Sequence, residues 1–176
     1  MTTEVILAGF GGQGILFAGK VLAYCGLLDD KEVTWLPSYG PEMRGGTANC
    51  SVCISEDIIG SPLVTEPNVL IAMNQPSYIK FIDKVQSKGK AFIDSTLVPD
   101  RSPRDDIECH YIPATQIADE NGLHGMANIV LLGNFMKETG ICAMDTIKKA
   151  FEHVVPPKKS HLIDANLKAI QLGMAY

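Results

Sequence analysis

Apolar residues fall into two patterns along this chain: short unbroken runs, and longer stretches at helical spacing. "EVILAGF" (4–10) is a short run closed by glycine and predicts a buried strand. "GILFAGKVLAYCGLL" (14–28) repeats apolar positions at helical spacing, with Gly26 near its end, and predicts a helix. "EVTWLPS" predicts a second strand, stopped by Pro37. In "GTANCSVCIS", Ala48, Cys50, Val52 and Ile54 alternate with Thr47, Asn49, Ser51 and Cys53, the pattern of a half-buried strand. "NVLIAMN", "KAFIDST" and "IECHYIPA" predict three more strands. Helices are predicted in "PSYIKFIDKVQSKG", opened by Pro76 and closed by Gly89, and in "ANIVLLGNFMKETG", "MDTIKKAFEHVV" and "SHLIDANLKAIQLGMAY". The polar, proline-containing "LVPDRSPRDD" reads as a surface loop.

Strands alternating with helices give an α/β fold: a three-layer α/β/α arrangement on a mostly parallel, Rossmann-like sheet. "GTANCSVCIS" with the following "EDIIGSPLV" is a candidate antiparallel excursion. No repeat, low-complexity tract or long linker divides the chain, so residues 1–176 are expected to form one domain. In such sheets ligands sit at the carboxyl ends of the strands, which directs attention to Phe10–Gly14, Ser38–Gly46, Met73–Ser77 and Asp94–Val98.

Composition narrows the function. A 46% apolar chain can fill a core, and a formal net charge of −5 gives no basic field for nucleic acid. "MTTEVILAG" lacks the basic and apolar regions of a signal peptide, and no apolar run is long enough to span a membrane. Five scattered cysteines fit reduced thiols in a cytoplasmic protein.

Candidate chemistry gathers at two places. Gly9, Gly11 and Gly14 follow the spacing G-x-G-x-x-G, with Gly12 and Gln13 between them, after a strand and before a helix. Backbone N–H groups at that helix start suit an anion. The same glycines equally serve a tight turn and close helix–sheet packing. A nicotinamide dinucleotide also requires an acid at the end of the second strand, to bind the ribose. Asp29, Asp30 and Glu32 precede that strand, so they belong to the opposite edge, and the strand ends in "LPSYG".

The second place is Ser38, Tyr39, Gly40, Pro41, Glu42, Met43, Arg44, Gly45 and Gly46. Glycine and proline shape a compact turn, Arg44 offers a planar fork for carboxylate or phosphate, and Met43 is an adaptable contact. Glu42 either pairs with Arg44 on an ordinary loop or orients a ligand. Cys50 and Cys53, three apart on a strand, point to opposite faces, so they suit neither zinc nor an iron–sulfur cluster. His110, His124, His153 and His161 have no ligand spacing, and His124 reads as a loop residue. Asn128 caps or bonds a loop, or is a polar residue on a helix face. No G-x-S-x-G elbow is present.

"GFGGQG" and "WLPSYGPEMRGGTANCSV" together resemble the gamma subunit, or gamma domain, of the 2-oxoacid:ferredoxin oxidoreductases. The resemblance continues through "GSPLV", "PNVLIAMN", "YIPATQIA" and "ANIVLLG" and so covers nearly the whole chain, looking closest to the 2-oxoglutarate members. It implies a heteromeric enzyme that oxidatively decarboxylates a 2-oxoacid to an acyl-CoA and passes electrons to ferredoxin or a similar acceptor. Thiamine diphosphate and iron–sulfur clusters would then belong to partner subunits, with coenzyme A as co-substrate and no cofactor held tightly by this chain. The implied partners are alpha, beta and ferredoxin-like delta subunits, with a homodimer open to the isolated chain. Gly9–Gly14 and Tyr39–Gly46 would form one edge, where Arg44 meets a phosphate or a partner's acidic group. None of these residues is expected to be catalytic. Two alternatives stand beside this reading: a free nucleotide-binding α/β protein, and a purely structural assembly subunit.

Overall fold

A computed structural model describes residues 2–38 and 47–176. The first apolar run forms β1 (Thr3–Phe10), and the helical stretch after it forms α1 (Ile15–Leu28). The chain continues through β2 (Glu32–Ser38), β3 (Thr47–Ser55), β4 (Val69–Ala72), α2 (Gln75–Phe81), β5 (Lys90–Asp94) and β6 (Glu108–Ile112). It ends in α3 (Ala114–Glu120), α4 (Ala127–Thr139), α5 (Met144–Val154) and α6 (Ile163–Ala175).

The strands form one six-stranded sheet in the order β2-β3-β1-β4-β5-β6. β1–β4, β4–β5 and β5–β6 pair in parallel, whereas β3 is antiparallel to both β1 and β2. β3 alone therefore opposes the common direction, as expected for a mostly parallel sheet with one excursion. The excursion is β3 itself, since "EDIIGSPLV" forms no strand.

Alternating side chains split the core between the two faces. Val5, Leu7, Ile71 and Phe92 pack under α1, α4, α5 and α6, while Ile6, Ala8, Leu70 and Ile93 pack under α2. The helical layers are therefore unequal.

Several local expectations change. β3 is buried on both faces: Cys53 and Ser55 are as enclosed as Cys50 and Val52. Its polar alternation reflects internal bonding, as the Ser55 hydroxyl meets that of Thr2 at 2.9 Å and accepts from Asp57 N–H at 3.1 Å. Pro37 does not stop β2 but lies within it opposite Cys50, where an edge strand tolerates a missing N–H. α2 ends at Phe81 rather than Gly89 and tightens into a 3-10 turn at Ile82–Lys84. Beyond it, neighbouring loops claim the backbone: Arg104 Nη1 donates to the carbonyls of Ile82 and Val85, and Gln86 N–H donates to Pro67 O. The strand expected through Ala114 ends at Ile112, and α3 begins directly after Pro113. The start of the last predicted helix is a 3-10 turn over Pro157–Leu162. No helix among the described residues is long and apolar enough to cross a membrane.

Candidate functional site

The Gln13 side chain closes the glycine loop on itself. Gln13 turns back so that its Oε1 accepts from Phe10 N–H at 2.6 Å and from Asn74 Nδ2 at 3.1 Å. Its Nε2 donates to the Met73 carbonyl at 3.3 Å, and its backbone N–H closes the turn onto Phe10 O. A side chain at Gly9 would strike Gln13 Oε1. Gly12 (φ 99°) and Gly14 (φ 71°) lie in the left-handed region, and Gly14 is the N-cap of α1. Gly11 and Gly12 are exposed. Asn128, at the start of α4, donates from Nδ2 to Gly14 O at 3.0 Å, so it does bond this loop.

The loops after β4 and β5 join the same edge. Asn74 caps α2, its Oδ1 accepting from Ser77 N–H at 2.9 Å. Asp94 is fully buried; its carboxylate accepts from the N–H groups of Thr96 and Thr115 and from the Thr115 hydroxyl. These contacts place negative charge at the first turn of α3, which has no local side-chain cap. Between the loops lies a cavity of about 190 Å³, lined by Gly12, Gln13, Met73, Leu97, Thr115 and Asp119, among others. Three of the four predicted strand-end loops thus converge.

Ser38 is exposed at the end of β2, and Thr47 opens β3 opposite Phe10. Both ends of the intervening segment are thus anchored at the edge that carries the glycine loop. Tyr39, Gly40, Pro41, Glu42, Met43, Arg44, Gly45 and Gly46 lie outside the described residues. Asp29 and Asp30 follow α1 at the opposite edge, and Thr146 Oγ1 donates to Asp29 Oδ1 at 2.9 Å. β3 separates β2 from β1, so the carboxyl end of β2 is not adjacent to the glycine loop's own strand.

Other candidate groups have structural partners. Cys50 and Cys53 belong to opposite cores, as strand geometry requires. Burial pushes the Cys50 thiol up to about 12 and also raises that of Cys53. A hydrogen bond with Cys142, together with burial, raises the Cys25 thiol. His110 stacks on Phe92 with ring centroids 4.7 Å apart, and His153 stacks on Tyr24. His124 is exposed and pairs with Asp119 at 2.8 Å. Glu108, His110 and Glu138 bring ligand-type atoms within 4.8 Å of one another, which their sequence spacing did not reveal. Lys90 already bonds the Glu108 carboxylate and, with His110, holds it below the usual carboxylate range.

The described edge therefore supplies backbone N–H groups, fixed amides and a small recess, and its one hydroxyl–carboxylate pair, Thr115 with Asp94, is engaged in capping α3. That chemistry suits docking and close approach rather than bond cleavage.

The chain matches the pyruvate ferredoxin/flavodoxin oxidoreductase family over residues 4–176. It is 40% identical to the 2-oxoglutarate synthase subunit KorC of Methanocaldococcus jannaschii, covering 89% of this chain and 85% of that protein. It is 39% identical to the ketoisovalerate oxidoreductase subunit VorA of Methanothermobacter marburgensis, covering 97% of this chain but only 35% of that longer protein. The chain thus spans about a third of the length of the ketoisovalerate relatives it matches. The gamma subunit of a keto/oxoacid ferredoxin oxidoreductase from Geobacter sulfurreducens has the same fold, with a TM-score of 0.84, 28% identity, and coverage of 98% of this chain and 96% of that one. With the match spanning nearly the whole sequence, this chain belongs to the pyruvate ferredoxin/flavodoxin oxidoreductase family.

Proposed function

We propose that this chain is the gamma subunit of a heteromeric 2-oxoacid:ferredoxin oxidoreductase acting on 2-oxoglutarate. The observation that carries this reading is the kinship with KorC, 40% identical and spanned over 85% of its length. The geometry is consistent with it: the glycine loop spends its amide side chain on its own closure and leaves Gly11 and Gly12 exposed. Such a loop lets another backbone or an extended ligand come close without itself doing chemistry.

In the overall reaction, a 2-oxoacid and coenzyme A give an acyl-CoA, carbon dioxide, a proton and two electrons. Alpha and beta subunits with thiamine diphosphate would cleave the oxoacid, and iron–sulfur clusters in a delta subunit would carry the electrons to ferredoxin. This chain would contribute a docking edge made of Gly9, Gly11, Gly12, Gln13, Gly14 and the Ser38–Gly46 segment. Arg44 would serve there as the fork for a coenzyme A phosphate or a partner carboxylate.

The VorA relatives support a second substrate class, the branched-chain 2-oxoacids. Acceptor reduction by the assembled complex, compared with 2-oxoglutarate and with ketoisovalerate, decides between them. The proposal predicts higher kcat/KM for 2-oxoglutarate. Preference for ketoisovalerate would transfer the assignment, and activity with neither would remove it. Arg44→Ala should raise the KM for coenzyme A or weaken assembly.

A further inference from the structure

We propose that Glu108, His110 and Glu138 bind one divalent first-row transition ion at the β6 edge of the sheet. Their ligand-type atoms lie within 4.8 Å of one another, so a single ion can reach all three after small side-chain shifts. Glu108 and His110 stand two apart on β6 and share one face, opposite Lys90 and Phe92 of β5. Glu138 comes from the last turn of α4, which packs on that face.

The imidazole is oriented for this role. Its ring stacks on Phe92 at 4.7 Å and 6°, and Phe92 is met edge-on by Phe135 of α4. Nε2 lies 3.0 Å from Glu108 Oε1, yet the approach is off the hydrogen-bonding direction and Nε2 has no hydrogen-bond partner. A nitrogen lone pair facing a carboxylate oxygen at that separation is unfavourable, and a cation coordinated by both removes the conflict. Nε2 is closed to water, so the ion does not enter as into an open pocket. It enters as the carboxylates rotate: the Glu108 side chain is 55% exposed and that of Glu138 29%.

The surrounding charge leaves room for the ion. Lys90 bonds Glu108 Oε2, which leaves Oε1 free to coordinate. Lys137 lies 3.6 Å from Glu138 Oε1, a surface contact of little worth that an ion displaces. The carboxyl end of α4 adds partial negative charge beside Glu138. One imidazole nitrogen with two carboxylate oxygens suits zinc-like ions, whereas magnesium and calcium take oxygen ligands. Water completes the coordination. The bound ion ties edge strand β6 to the end of α4. This inference concerns the folded chain alone and does not depend on the substrate of the complex.

Titration of the full chain with Co2+, followed by visible absorption and then by competition with Zn2+, tests it. One Co2+ per chain is expected, with weak d–d bands, no sulfur charge-transfer band, displacement by Zn2+ and none by excess Mg2+. Glu138→Gln should weaken binding at least tenfold, and His110→Ala should abolish the bands. Glu138→Gln keeps the shape of a half-exposed side chain, so it decides the matter if loss of the His110 stack impairs folding. Glu32→Gln, on β2 at the opposite edge of the sheet, should bind as the wild type does. No saturable Co2+ binding, a sulfur charge-transfer band, displacement by Mg2+, or unchanged affinity in Glu138→Gln would overturn the proposal.

Discussion

Asn128 and Gly14 meet across 114 positions of sequence, the amide of one helix start donating to the carbonyl that precedes another. The bond fixes α4 against the glycine loop, so the loop's shape depends on tertiary packing as well as on its own glycines. A Cβ at Gly14 would lie 2.4 Å from Asn128 Nδ2, on a backbone already at φ 71°.

Gly14→Ala should therefore destabilise more than Gly12→Ala. Gly12, at φ 99°, has nothing within 4 Å of an added Cβ. Each pays about 1–2 kcal/mol for the left-handed backbone, and Gly14→Ala should lose roughly 1 kcal/mol more with the displaced Asn128 bond. Urea unfolding midpoints of the two variants check the order.

Gln13→Ala should loosen the loop without unfolding the sheet. It removes the acceptor for Phe10 N–H and Asn74 Nδ2 and the donor to Met73 O, a loss of about 1–3 kcal/mol. Amide hydrogen exchange should accelerate at Phe10, while Val5 and Leu7 within β1 keep their protection.

The legible part of the fold was the buried part. The apolar runs of β1, β4 and β5 and the helical spacing of α1, α4 and α5 are signals carried within each segment. α3 carries none of the usual starting signals, because Asp94, 21 positions before Thr115, caps it through space. α2 is shorter than its own stretch of sequence predicts because the groups that end it, Arg104 and Pro67, lie outside that stretch. The insertion of β3 between β1 and β2 is a property of pairing, which periodicity cannot express. At the site, glycine spacing located the loop, but nothing in the sequence says that the loop Asn128 bonds is this one, 114 positions away. The inward use of Gln13 depends on contacts with a distant segment, Met73 and Asn74.

Asp94→Ala should be more damaging than Asp94→Asn. Alanine removes the acceptor for the N–H groups of exposed Thr96 and half-buried Thr115 and for the Thr115 hydroxyl, at a cost of about 1–3 kcal/mol, whereas asparagine keeps one oxygen acceptor. The thermal midpoints of the two variants should separate accordingly, with wild type highest.

Stability should fall as pH rises above 9. The folded state holds the Cys50 thiol near 12 against an ordinary value of 9.0, so the unfolded chain loses that proton first. The contribution is complete below pH 9 and declines between 9 and 12. Urea unfolding from pH 8 to 10.5 should show the decline, and Cys50→Ala should make it shallower, the raised Cys25 and Cys53 thiols keeping the rest. In the native protein at pH 8, Cys50 and Cys53 should also resist alkylation until denaturant is added.

The subunit assignment is tested most directly by reconstitution. The partner subunits are purified with and without this chain, and 2-oxoglutarate-dependent, coenzyme A-dependent acceptor reduction is measured. Activity should require the chain, the chain alone should have none, and adding it back should restore turnover with stoichiometric incorporation. Full activity without it, or a chain that stays apart from its partners and binds a nucleotide by itself, would contradict the account.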